Sequence, residues 1–375
     1  MNKLALSVAV AASLGIASHS FADGPIDGTI YGKINVSVVN TDENSSDKWK
    51  LNSNASRLGV KGKTKITDGL YAVYKAEFEM CVDDGDCKGQ TFTQRNIMGG
   101  IRGSFGTVWA GKHDSPTKLA QKKIDLFNDL EGDIKNTFEG ENRVSNIIAY
   151  TSPTVSGFSG TVAMIPGEGA DVDGDGIDDT GLTDGMSYSL SYSKDNLYLA
   201  LASDKDVDSQ DLVRMVMQYQ MDNLKLGAMY QQNEDNLGTK DESGYFVSAA
   251  YKIDKTTLKA QYGFIEDDVD GDEEETLSLG ADYKLSKNTK AYIFYTDNTD
   301  SELDSDDDED GYPDWCEQYW GTDPLDSTDF PTQLQDCNNN TGNATDCGTD
   351  GNLTDLMVWT DHTIYNEGDT VDATF

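Results

Sequence analysis

Residues 276–285 read TLSLGADYKL. Leu277, Leu279, Ala281, Tyr283 and Leu285 fall on one side of an extended chain, and Ser278, Asp282 and Lys284 on the other. Successive side chains of a strand point to opposite faces, so this pattern predicts a β-strand with one apolar and one polar face. The same period recurs outward from it. TLKAQYGF (257–264) presents Leu258, Ala260, Tyr262 and Phe264 together. TIYGKINVSVV (29–39) sets Ile30, Ile34, Val36 and Val38 against Tyr31, Lys33, Asn35 and Ser37. VRMVMQY (213–219) and LKLGAMY (224–230) alternate likewise.

The segments between these runs are of two kinds. Those at 67–69, 104–106, 195–196, 222–223, 254–256 and 286–288 are a few residues long and read as tight hairpin turns. Those at 41–50, 81–90, 114–142, 166–185, 204–210, 234–243, 267–275 and 298–355 are longer, polar and acidic. Short and long connections take turns along the chain. A soluble sandwich explains the alternation of side chains but not this asymmetry. Short turns on one rim and long loops on the other are the pattern of a bacterial outer-membrane barrel. The predicted fold is therefore all-β, a transmembrane antiparallel β-barrel of about sixteen strands, with short periplasmic turns and long extracellular loops. Tyr251, Tyr262 and Tyr283 suit the aromatic girdles at the membrane interfaces.

The totals agree with a polar lumen and solvated loops. Of 375 residues only 37% are hydrophobic, and the net charge of −38 disfavours nucleic-acid partners, whose phosphates it repels. Residues 1–22 read as a signal peptide: Lys3, an apolar run from Leu4 to Ala17, then Ser20-Phe21-Ala22. The run is too short for a spanning helix, and the barrel is assigned to 23–375. Export permits disulfides, and Cys81 and Cys87, bracketing VDDGD, are expected to pair. Cys316, Cys337 and Cys347 leave an odd count. His19, His113 and His362 do not cluster, and no phosphate loop, nucleophile elbow or Cys-x-x-Cys pair is present, so no enzyme is expected.

Five stretches carry a resemblance: IYGKINVSV (30–38), SRLGVKGKTKITDGLYAVYKAEFE (56–79), QRNIMGGIRGSFGTVWAGKHD (94–114), NRVSNIIAYTSPTVSGFSG (142–160) and LGADYKLSKNTKAYIFYT (279–296). In this order they resemble segments of the Gram-negative general diffusion porins. The resemblance implies a homotrimer in the outer membrane, in contact with lipid and lipopolysaccharide, that passes small hydrophilic solutes and ions by diffusion. It also implies that the third long connection, 114–142, folds inward and narrows the pore, its acids facing a basic wall. The acids on that segment are Asp125, Asp129, Glu131, Asp133, Glu139 and Glu141; Arg57 and Arg95 match the family's wall arginines, with Lys61 and Arg143 as further lumen candidates. The acidic balance argues for cation preference. The resemblance weakens at the C-terminus, where Phe375 is terminal but Asp369 and Glu367 interrupt the expected apolar face, and DLMVWTDHTIY (355–365) makes the better strand.

One long connection carries a second pattern. In residues 306–317, Asp306, Asp308, Asp310, Asp314 and Glu317 take positions 1, 3, 5, 9 and 12 of a calcium loop with Gly311 at position 6. The stretch resembles thrombospondin type-3 repeats. A poorer copy has Asp171, Asp173, Asp175 and Asp179 around Gly176. Calcium is expected as a structural tie of the outer loops. The competing reading is a calcium-dependent surface or adhesion protein.

Overall fold

A computed structural model describes residues 7–9, 28–43, 46–169, 180–269 and 271–300. The chain divides into two compact units, residues 1–299 and 300–375, and apart from Asp300 the described residues belong to the first. Both calcium motifs, the 298–355 loop beyond Asp300, the three remaining cysteines and the C-terminal strand candidates lie outside the described residues.

Seventeen strands follow one another: β1 (Gly28–Lys33), β2 (Val36–Glu43), β3 (Ser46–Ser53), β4 (Arg57–Thr67), β5 (Leu70–Glu79), β6 (Thr93–Gly103), β7 (Gly106–Asp114), β8 (Arg143–Thr151), β9 (Phe158–Ile165), β10 (Gly185–Lys194), β11 (Leu197–Lys205), β12 (Gln210–Met221), β13 (Leu224–Asp235), β14 (Asp241–Ile253), β15 (Thr256–Asp267), β16 (Glu273–Lys284) and β17 (Lys290–Asp300). All belong to one sheet. β1 pairs antiparallel with β4, β2 with β3, and each strand from β4 onward with the next. A three-residue strand, Ser7–Ala9, pairs with Tyr292, Ile293 and Phe294 of β17 and sets Val8 opposite Val38 of β2.

β1 with β2, and β3 with β4, are each one span broken at a bend, which leaves fifteen spans among the described residues. At the bends the ladder is interrupted and a buried polar knot replaces it. The Asn35 amide donates to Ser56 Oγ at 2.9 Å, and Asn54 Nδ2 to Ser37 Oγ at 2.9 Å. Tyr292 OH donates to Asn35 Oδ1 at 2.8 Å. Backbone groups freed from a ladder need such partners when buried.

The alternation maps onto the two faces of the sheet. Along β12, Val213, Met215, Met217, Tyr219 and Met221 are exposed, while Leu212, Arg214 and Val216 are buried on the inner side. Leu258, Leu277, Leu279 and Ile293 continue the exposed apolar band on neighbouring strands. An outward apolar band and a polar interior invert the soluble arrangement, as hydrocarbon around a barrel requires. Tyr251 and Tyr283 are exposed on this outer face, and Tyr262 packs on Tyr245 with ring centroids 6.1 Å apart.

The two rims differ. Two-residue turns join β10 to β11, β12 to β13 and β14 to β15, with Asp195, Asp222 and Asp254 at φ 51°, 45° and 49°. Left-handed backbone at the first turn residue matches the twist of hairpin strands, and aspartate tolerates it. At the other rim the strands outrun their apolar pattern. The expected loop at 41–50 is instead ladder, with Asn40 opposite Trp49 and Thr41 opposite Lys48. Beyond the hydrocarbon both faces of a strand meet water, so the strand persists after the alternation that announces it has ended. Cys81 and Cys87 are joined by a disulfide, Cα atoms 5.3 Å apart, in the connection after β5.

Candidate pore constriction

The connection from β7 to β8 does not project outward. Its stems are clamped, since Asp114 and Arg143 face each other across the ladder and Arg143 Nη2 lies 2.9 Å from Asp114 Oδ1. Between them, Ser115 caps a short helix α1 (Pro116–Ala120), and the chain then runs against the inner wall. Irregular backbone at membrane depth is tolerated only where protein or lumen water satisfies it, and inward-facing wall residues supply the partners. Tyr198 OH donates to the Ala120 carbonyl at 2.9 Å, and Ser248 Oγ to that of Ile124 at 2.6 Å. Lys259 Nζ donates to Leu126 O at 3.0 Å. Gln261 accepts from the Leu126 amide at 2.8 Å and donates to Gly132 O at 2.5 Å, holding the loop at two points. On the return, Arg214 donates to the Glu139 carbonyl at 2.7 Å and to Glu141 Oε1 at 2.6 Å.

Apolar contacts reinforce this docking. Ile124, Ile134 and Phe138 of the loop are buried with Val216, Met229, Phe246 and Ile265 of the wall, and Phe127 with Val39, Tyr292 and Phe294. Three wall glycines make room. A Cβ at Gly227 would stand 2.8 Å from Ile124, one at Gly263 3.0 Å from Phe138, and one at Gly280 2.8 Å from Phe127. The loop thereby covers the inner face of β10 to β17, and its Phe127, Asp129 and Glu131 reach across to β1, β2, β3 and β4.

On the side of β1 to β6 the wall is basic. Arg57 and Lys33 both reach Asp129, the lysine at 3.1 Å, so Asp129 joins loop to wall. Burial alone would raise the Asp129 carboxyl, but Arg57 and Lys33 outweigh it and hold it below its ordinary value. Arg95 stays within the wall: it lies 3.1 Å from Glu77 Oε1 and 2.6 Å from Glu79 Oε2. Glu77 also accepts from Tyr31 OH at 2.7 Å and meets Lys75 at 3.4 Å. Lys61 stands over the Tyr31 ring, 5.1 Å from its centroid.

The residues singled out in the sequence thus divide. Arg57, Arg95, Lys61 and Asp129 gather at the basic wall, where Glu131 accepts from Asn52 Nδ2 at 2.7 Å. Arg143 locks the stems of the loop. Asp125 and Asp133 turn inward on the loop itself: Asp125 accepts from the amides of Phe127 and Ile134, and Asp133 from those of Asp129 and Lys135. Lys33, Glu77, Gln261 and Arg214 complete the arrangement. The period-two pattern already puts Lys33 on the polar face. Arg214, charged among Val213, Met215 and Val216 in a spanning strand, is the sequence signal for an internal partner.

A family model described as Gram-negative porin matches residues 5–303. Outer membrane porin protein 32 of Delftia acidovorans is 30% identical over 175 residues, covering 42% of this chain and 48% of that protein. The chain spans about half the length of this relative. Outer membrane protein U of Vibrio cholerae is 24% identical over 261 residues, 62% of this chain and 75% of that one. Among solved structures, an anion-selective porin from Comamonas acidovorans superposes with a TM-score of 0.63 at 19% identity, covering 75% of this chain and 91% of its own. The trimer form of OmpT from Vibrio cholerae superposes at 0.55 and 15% identity, covering 74% and 100%.

Proposed function

Because the chain belongs to the Gram-negative porin family and is an outer-membrane protein like its relatives, we propose that it forms a water-filled channel for passive diffusion of small hydrophilic solutes and ions. The observation that carries this reading is the inward docking of residues 115–142, which narrows the lumen and pairs Asp129 of the loop with Arg57 and Lys33 of the basic wall. Opposite charges across a narrow passage orient water and polar solutes and penalise apolar ones. The assembly proposed is a homotrimer in contact with lipid and lipopolysaccharide, in line with the trimer form of OmpT. Purified protein in a planar bilayer gives stepwise, ohmic conductance in potassium chloride; a protein that folds as a β-rich oligomer yet conducts nothing overturns the reading.

The proposed selectivity is a weak cation preference that salt removes. The chain carries 67 acidic against 29 basic residues, while the wall facing the loop groups Lys33, Lys61, Lys75, Arg57 and Arg95 with Asp129, Glu77 and Glu79. Acids on the outer loops raise the cation concentration at the mouth only within a Debye length, about 10 Å at 0.1 M and about 3 Å at 1 M. Reversal potentials favour potassium at low salt and converge toward zero selectivity at high salt. Chloride preference at low salt overturns this.

Calcium is proposed as a structural ion of the outer loops, supported by the spacing of Asp306, Asp308, Asp310, Asp314 and Glu317 and, more weakly, of Asp171, Asp173, Asp175 and Asp179. The test is calorimetry of calcium binding to the detergent-solubilised protein with and without Asp306→Ala and Asp310→Ala. Identical heats in both overturn it.

A further inference from the structure

Against the docked loop lies a cavity of about 440 Å³ whose lining includes neither Asp129 nor Arg57. Five lysines line it: Lys123 from the loop, Lys225 of β13, Lys252 of β14, Lys259 of β15 and Lys290 of β17. Its acids are Asp125, Asp222 and Asp282. Turn residues Asp222 and Asn223 and their neighbours Lys252 and Thr257 place it toward the short-turn rim.

The charges do not cancel. Asp282 is shared, 3.1 Å from Lys259 Nζ and 2.7 Å from Lys290 Nζ. Asp125 spends its carboxylate on the amides of Phe127 and Ile134. The Lys225 ammonium donates to the Lys123 carbonyl and forms no ion pair among the described residues. Lys123 and Lys252 are exposed and form no ion pair among the described residues. In a chain of net charge −38, five lysines converging on one cavity with three aspartates, one of them turned to backbone, are a local excess of positive charge. Low-dielectric walls focus such a field, and lysine ammonium groups serve as point-charge partners for oxyanions.

We propose that this cavity binds small multivalent oxyanions of the phosphate or polycarboxylate class, holding them at the short-turn end of the channel. Their oxygens meet Lys123, Lys225 and Lys252, the ammonium groups not already shared with Asp282. Occupancy puts negative charge beside the lumen and slows chloride more than potassium.

The test uses the whole detergent-solubilised protein and inorganic pyrophosphate as probe. Isothermal titration at low ionic strength gives saturable binding in the parent. Binding is weaker by on the order of tenfold in Lys123→Ala/Lys252→Ala, two exposed positions that make no hydrogen bond holding the loop. Added potassium chloride weakens binding in the parent steeply. Equal binding in parent and variant, or none in either, overturns the proposal. The same samples are inserted in bilayers: a variant with the parent's potassium chloride conductance but no pyrophosphate block supports it. Because calorimetry does not require conduction, an absence of channel steps counts against the porin reading alone.

Discussion

Arg214 Nη1 lies 2.6 Å from Glu141 Oε1, with the arginine wholly buried and the glutamate 6% exposed. The pair ties the returning end of the loop to β12, and Lys118 stands 4.0 Å from the same carboxylate. Removing one partner of a buried pair leaves an uncompensated charge and costs roughly 3–5 kcal/mol, whereas replacing both with apolar residues is close to neutral. Arg214→Met is therefore expected to lower the temperature at which the detergent-solubilised protein unfolds. It also raises single-channel conductance by freeing the loop. Arg214→Met/Glu141→Leu restores most of the stability. Equal losses in the single and double variants count against the pair.

The glycine sockets give a second prediction. Gly227→Val drives two methyl groups toward Ile124, where even a Cβ stands 2.8 Å away. Overpacking of this kind costs about 1–3 kcal/mol. The fold survives, because the strand's ladder is untouched, while the loop shifts and conductance changes. Unchanged conductance and melting would show that the loop does not rest on this wall.

The ion pairs of Asp129 with Lys33 and Arg57 give a prediction about ion selectivity. Asp129→Asn leaves Lys33 and Arg57 without their carboxylate partner. One charge at ~6 Å in water is worth ~0.7 kcal/mol, about threefold in local ion concentration. The reversal potential moves toward chloride by about that factor; Arg57→Gln moves it toward potassium. A shift of the same sign in both variants contradicts the assignment.

Asp125 predicts a pH dependence of loop docking. Burial, and then the neighbouring Asp133 and Glu141 carboxylates, push it up from 3.8 to about 7, against the lowering by the Phe127 and Ile134 amides. Burial likewise raises Glu141 in spite of Arg214 and Lys118. An acid whose folded pKa lies above its unfolded value binds more protons when folded, so stability is greatest below about 4 and falls as pH rises through about 7. Protease accessibility of residues 121–142 is expected to increase from pH 5 to pH 8. A flat profile overturns the attribution.

The alternation at 276–285 made β16 legible because the bilayer and the lumen are two solvents, and each selects its own side chains on a two-residue period. The same contrast exposed the tight turns and the identity of Arg57 as an inward residue. It failed at 41–50, where polar residues follow one another and little periodic contrast remains although the ladder continues. Opposite fates for Asp129 and Asp133, four residues apart on one acidic loop, were equally invisible: one reaches Arg57, the other caps backbone amides.

What the sequence by itself determined is the set of spanning strands, their inner and outer faces, and the alternation of short and long connections, all consequences of local periodicity. Only the tertiary structure decided which loop acids reach the basic wall, which wall glycines receive Ile124, Phe127 and Phe138, and that five lysines from five elements share one cavity. These depend on contacts between residues as far apart as Leu126 and Gln261. Such contacts are fixed by how the loop packs across the lumen, and a short-range pattern along the chain holds no record of them.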